Sequence, residues 1–141
     1  MEIAFTVEGI PRPQGSKSHI GRGIMVESSK YVANWRSMIR DAARRAMQAA
    51  NMECQREKAV TIQATFYFER PKAHYTSKGL RATAPVIVTK KPDVDKLLRA
   101  VLDACSMVVY YDDCQVQIHQ CNKLFTESVP RAEIKFAFLK P

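Results

Sequence analysis

Apolar positions recur along the chain at two periods, and the changes between them mark out its elements. From about Glu2 to Glu8, Ile3, Phe5 and Val7 alternate with Ala4, Thr6 and Glu8, the period of a half-buried strand. Residues 9–30 lose that pattern. Their Gly-Ile-Pro-Arg-Pro-Gln-Gly-Ser-Lys run and the Gly-Arg-Gly at 21–23 predict a long basic loop. Ser28 or Ser29 can then cap a helix to about Ala50, with Val32, Trp35, Ile39, Ala42, Ala43 and Ala46 as its apolar stripe. Arg36, Arg40 and Arg44 follow one edge of the stripe, as a solvated face or as a DNA-contacting ridge.

A second strand is predicted from about Val60 to Phe68, with Val60, Ile62, Ala64, Phe66 and Phe68 on one face. Pro71, Gly79, Pro85 and Pro92 break up the next stretch of chain, leaving room for a short strand at Val86–Val88. Asp93 opens a second helix to about Met107, whose buried face reads Val94, Leu97, Leu98, Val101, Leu102 and Cys105. Strands at about Val108–Asp112, Val116–Phe125 and Arg131–Leu139 complete the chain; the last has Ala132, Ile134, Phe136 and Phe138 on its inner face. The order predicts one α+β (α/β two-layer) domain over 1–141, a mixed sheet with hairpin-like later strands and two main helices packed on it.

Composition narrows the class. With 46% hydrophobic and 26% charged residues, 141 residues make an ordinary globular domain. No apolar run approaches the ~20 residues of a membrane span, and Met1-Glu-Ile-Ala-Phe lacks the basic start of a signal peptide. A cytoplasmic protein with no membrane partner is expected, its four cysteines reduced and mostly buried. Cys114 and His119 are an odd number of residues apart, so on one strand they could share a zinc ion only across a bulge.

Charge changes the picture more. Twenty-two Lys and Arg against fourteen Asp and Glu give +8, a surplus suited to a polyanion. Residues 70–92 hold Arg70, Lys72, Lys78, Arg81, Lys90 and Lys91 and no acid, with His74 and Tyr75 among them. That mixture fits a sugar-phosphate backbone. Directly afterwards, Asp93, Asp95, Asp103, Asp112 and Asp113, five of the chain's six aspartates, stand within 93–113 against only Lys96 and Arg99. Carboxylates set in a cationic surface suit metal-assisted phosphodiester cleavage, because hard Mg²⁺ or Mn²⁺ prefers oxygen ligands. Each aspartate also has a plain structural reading: Asp93 as a helix cap, Asp95 as a first-turn acid, Asp103 paired with Arg99, and Asp112-Asp113 as a turn. Five such coincidences in one window favour the metal.

The residues of this island resemble a known family. Lys91-Pro-Asp93-Val-Asp95-Lys-Leu-Leu-Arg-Ala-Val-Leu-Asp103-Ala, then Tyr111-Asp112-Asp113-Cys-Gln115-Val116, resembles the RusA family of Holliday junction resolvases. Similarity extends to the first strand, the basic loop of 10–17 and the segment 74–79. The resemblance implies a small homodimeric crossover junction endodeoxyribonuclease that uses Mg²⁺, with Mn²⁺ as a substitute. It would resolve four-way junctions by paired symmetric nicks in DNA recombination and repair, with no small-molecule cofactor. Such proteins are frequent in phage and prophage genomes. Asp93, Asp95 and Asp113 match the catalytic, metal-holding carboxylates, and Arg99 stands where the family commonly carries a lysine. Lys96 replaces a usual Asn, and Asp112 and Asp103 match motif positions in supporting roles. Arg12, Lys17, Lys72, Lys78, Arg81, Lys90, Lys91 and Lys96 are the candidate DNA contacts. Two alternatives use the same residues: a structure-selective DNA-binding protein of this fold with weak or no cleavage, and a metal-dependent phosphatase, against which the large basic surface argues.

Overall fold

The computed structural model describes residues 1–15 and 22–140, with side chains described outside 22–30. Four long strands form one mixed sheet: β1 (Glu2–Glu8), β2 (Val60–Glu69), β5 (Val116–Thr126) and β6 (Arg131–Phe138), in spatial order β1-β6-β2-β5. Between β2 and β5 lie a small hairpin of β3 (Tyr75–Thr76) and β4 (Gly79–Leu80) and the helix α2 (Val94–Cys105); α1 (Arg22–Ala49) joins β1 to β2.

The period-2 strands fold as their patterns require. Val60, Ile62, Ala64 and Phe66 of β2 and Ala132, Ile134, Phe136 and Phe138 of β6 are buried, as are Ile3 and Val7 of β1. They meet Trp35, Ile39, Ala42, Ala43 and Met47 of α1 and Leu97, Leu98, Ala100, Val101, Ala104 and Cys105 of α2 in one core. Burying a side chain of this size removes ~1.5–3 kcal/mol of apolar hydration, so this single layer of contacts holds both helices to the sheet. Gly9 turns the chain out of β1 at φ +143°, and a Cβ there would lie 3.2 Å from the Trp35 ring. Backbone freedom and close packing both require glycine at that point.

Several expectations are corrected. Helix α1 starts at Arg22, not at Ser28 or Ser29, so the irregular segment is shorter than predicted. No proline interrupts 22–30, and serine is tolerated inside a helix. The later strands are not a hairpin: β6 lies between β1 and β2, antiparallel to both, and β5 pairs parallel with the other side of β2. Residues 108–112 form no strand. They make a tight turn after α2, with Val109 and Tyr110 fully buried and Tyr110 donating from Oη to the Leu102 carbonyl at 2.7 Å. The apolar run there fills the core rather than a sheet. Val86–Val88 makes only a bridge to β5, and the segment after Pro71 does contain a regular element, the β3–β4 hairpin. Val94, expected on the buried face of α2, is exposed (38%), and the buried stripe of the helix begins at Leu97. Of the cysteines only Cys105 is buried; Cys114 is exposed and lies in a 3₁₀ turn (Asp113–Gln115) ahead of β5, whose register slips by one residue at His119.

Candidate nucleic-acid and active site

Helix α2 and its N-cap bear three of the candidate carboxylates, Asp93, Asp95 and Asp103, and three ties fix its position. Lys123 of β5 donates from Nζ to the carbonyls of Lys90 and Pro92, both at 2.8 Å, so the chain entering α2 is clamped to the sheet. Arg40 of α1 donates from Nε to the Ala104 carbonyl at 3.1 Å, at the far end of the helix. The basic loop after β1 is the third: the Gln14 backbone N–H donates to the Lys96 carbonyl at 3.0 Å. The Gln14 amide then donates to the Asp103 carboxylate and accepts from the Arg36 guanidinium at 2.7 Å. Arg36 and Arg40 therefore bind their own chain; of that row, Arg44 alone is left on the surface, 4.0 Å from Asp41.

At the start of α2 the loop and helix enclose a cleft of about 510 Å³. Arg12, Lys91 and Lys96 line it together with Asp93, and Ile10, Pro11, Pro13, Phe68 and Pro92 supply apolar wall. Asp93 occupies the N-cap position, yet its carboxylate makes no cap hydrogen bond. It faces Lys96 at 3.6 Å instead, in an exposed pair worth little in stability. The plain capping role is thus unfilled. Asp95 lies in the exposed first turn, where the helix dipole favours a carboxylate. The guanidinium of Arg12 sits 4.7 Å from the Tyr31 ring centroid, which holds it at the cleft.

The remaining acids gather at the other end of α2. Asp112 caps the 3₁₀ turn: its Oδ1 accepts from the Cys114 N–H at 2.9 Å, while the Gln115 side chain accepts from the Asp112 N–H at 2.9 Å. Hydrogen bonding from Cys114, its backbone N–H first, holds the Asp112 carboxyl below the usual carboxylate range. Asp113 makes no such bond to backbone, and desolvation, with the negative Asp112 and Asp103 nearby, raises its pKa. Gln115 also donates to the carbonyls of Gln55 and Lys58, tying the turn to the chain before β2. Asp103 bonds Gln14, not Arg99, which stays exposed.

The predicted site residues thus fall into groups. Asp93, Lys91, Lys96 and Arg12 share the cleft; Asp103, Asp112 and Asp113 form a second acidic group; among the described residues no three His, Cys, Asp or Glu side chains are placed to hold a metal ion. Lys72, Lys78 and Arg81 lie on or beside the exposed β3–β4 hairpin, where Arg81 donates from Nε to the Ala73 carbonyl at 2.8 Å. Lys90 is exposed, and Lys17 lies outside the described residues. His74 packs edge-on against Phe125, with Arg70 beside both, so these two anchor the basic stretch to β5. Sequence reasoning missed Gln14, Lys123 and the clamping role of Gln115. A glutamine at the end of a Pro-rich loop carries no periodic signal, and a lysine inside a strand reads as solvated.

A strand-buttressed helix bearing carboxylates, with a cationic loop folded along it, is an arrangement suited to phosphodiester substrates. The chain matches the endodeoxyribonuclease RusA family over residues 6–137 and belongs to it. It is an endonuclease of the Holliday junction resolvase class, a class that acts on branched DNA and generally uses divalent metal ions. It is also similar to the uncharacterized protein YqaN of Bacillus subtilis (strain 168), at 30% identity over 94% of this chain and 93% of that one. No helix among the described residues is long and apolar enough to cross a membrane.

Proposed function

We propose that the protein is a homodimeric, Mg²⁺-dependent nuclease that resolves four-way DNA junctions by paired symmetric nicks, in recombination and repair. One observation carries the reading: in a chain of this family, Asp93 is free of its capping role and lies in a cleft with Arg12, Lys91 and Lys96. Cations there would draw a phosphate to the carboxylate, and Arg99 on the exposed face of the same helix is open to a second phosphate. As a guanidinium with donors and no acceptor, Arg99 would offset charge on the phosphate rather than act as a base.

Mg²⁺, or Mn²⁺ in its place, supplies Lewis acidity in reactions of this class. Asp93, Asp95 and Asp113 are the oxygen donors we assign to it. Mg²⁺ is usually held by one or two carboxylates together with substrate phosphates, so a complete protein cage is not required. Separation of Asp93 from the group around Asp113 predicts weak Mg²⁺ binding by the free chain. The cytoplasm is the matching compartment, and a phage or prophage source fits the family.

The test is nicking of a synthetic four-way junction with and without Mg²⁺, with linear duplex as control. Symmetric paired nicks only with Mg²⁺ are expected, and Asp95→Asn should abolish them while leaving junction binding intact. Wild-type cutting by Asp95→Asn would remove the metal assignment. Tight junction binding by the wild type with no nicking would favour the second reading, a structure-selective DNA-binding protein, which the spread of the carboxylates supports.

A further inference from the structure

We propose that the cleft beside Asp93 is a nucleotide site: it takes one unstacked nucleotide of a branched DNA, base inside and phosphate at the cationic rim. The proposal rests on the nuclease reading above and adds how branched DNA is told from linear. Its basis is the mixed lining. Pro11 is fully buried and Phe68 packs on the core, so the apolar wall is tied to the fold, while Ile10 is 53% exposed and has apolar surface that the described residues leave uncovered. Arg12, Lys91 and Lys96 stand on the same cleft.

A continuous duplex backbone needs only the cations. An apolar recess beside them is matched by a flat nucleobase with its own phosphate attached, since base stacking on apolar side chains tolerates any sequence. The volume of about 510 Å³ lies within the ~300–1,000 Å³ of sites that enclose a small ligand. Arg12 is held against Tyr31 and Gln14 is clipped to α2, so the rim is ordered before DNA arrives. Turning a base out of a duplex costs a few kcal/mol, and least where stacking or pairing is already broken. The exchange point of a junction therefore surrenders a base more readily than a linear duplex does.

The experiment places 2-aminopurine at the exchange point of a four-way junction, and in a linear duplex of the same local sequence. Each is titrated with the full chain in the absence of divalent cation. Emission should rise on junction binding and stay flat with the duplex. Ile10→Ser, at an exposed position with little effect on folding, should reduce the rise and weaken junction affinity about five- to tenfold. Phe68→Leu, verified as folded by circular dichroism, should do the same. Unchanged emission with the wild type, or junction affinity unaffected by both variants, would overturn the proposal. Mg²⁺-dependent nicking under those results would leave the nuclease reading standing, so the two failures are distinct.

Discussion

Asp112 and Asp113 are neighbours in the chain with opposite electrostatic roles. The folded structure lowers the pKa of Asp112, so its contribution to stability is present above the ordinary carboxylate range and is lost as pH falls. It raises that of Asp113, whose folded form prefers the proton; that contribution is present in acid and is lost as pH rises through the shifted value. Asp112→Ala should therefore lower Tm at neutral pH, and Asp113→Asn should raise it slightly. The Asp113 difference should shrink as pH is lowered toward ~4, and the part of the Asp112 difference that comes from its charge only below that, because its folded pKa lies under the ordinary value. Thermal melts at pH 7 and in mild acid check this, and a lower Tm for Asp113→Asn at pH 7 would contradict it. If Asp113→Asn also stops cleavage, a stabilising change that removes activity marks a residue kept for chemistry. The sequence grouped these two acids together. Only the 3₁₀ turn, with Gln115 closing it, separates the cap from the free carboxylate.

The elements with strict alternation, β1, β2 and β6, were legible because one face of each must be buried. α2 was legible from its leucines, but the turn after it was not: Val108, Val109 and Tyr110 have strand-like composition and fill the core instead. The start of α1 was missed because no proline or strong cap marks it. Least visible was the attachment of loop to helix through Gln14, which lies 89 residues from Asp103. Gln14→Ala would leave Asp103 and Arg36 without their shared partner, at a cost of ~1–3 kcal/mol. We expect a lower Tm, faster hydrogen exchange at the amides of Ile10, Arg12 and Gln14, and a larger loss in substrate affinity than in turnover. A variant with wild-type exchange in that loop would show that Gln14 does not hold it.

At the scale of the molecule, the charge of +8 matters through its placement. Lys72, Lys78 and Arg81 are exposed on or beside the β3–β4 hairpin, and Lys72 and Lys78 are in none of the ties that hold α2. Replacing all three by Ala should weaken binding to every DNA sequence alike and reduce the slope of log K against log salt by up to about 3. An unchanged slope would mean that the hairpin does not touch DNA. The proposed dimer follows from the two-fold symmetry of a junction, which presents two equivalent strands to be nicked. Val109 belongs to the protomer's own core and cannot serve the interface, whereas Ile118 (61% exposed) on the edge strand β5 remains suitable. Light scattering at micromolar concentration should give twice 16.0 kDa; a monomer mass that persists with junction DNA would reject both dimer and paired nicking.

The position of β6 bears on how the protein comes into being in a cell. Strand β1 precedes both helices in the chain, but its neighbour in the sheet is residues 131–138, and β2 needs the same neighbour on its other side. Until that segment has left the ribosome, which adds ~5–20 residues per second, β1 has no strand to pair with and the two helices have half a sheet to rest on. A chain cut short by an early stop codon, even one retaining every aspartate of the island, lacks the strand at the centre and has no stable platform for α2. A folded nuclease thus requires residues 131–138 to have been made, and chains that stop short of them are left as substrates for proteolysis rather than as agents of DNA damage.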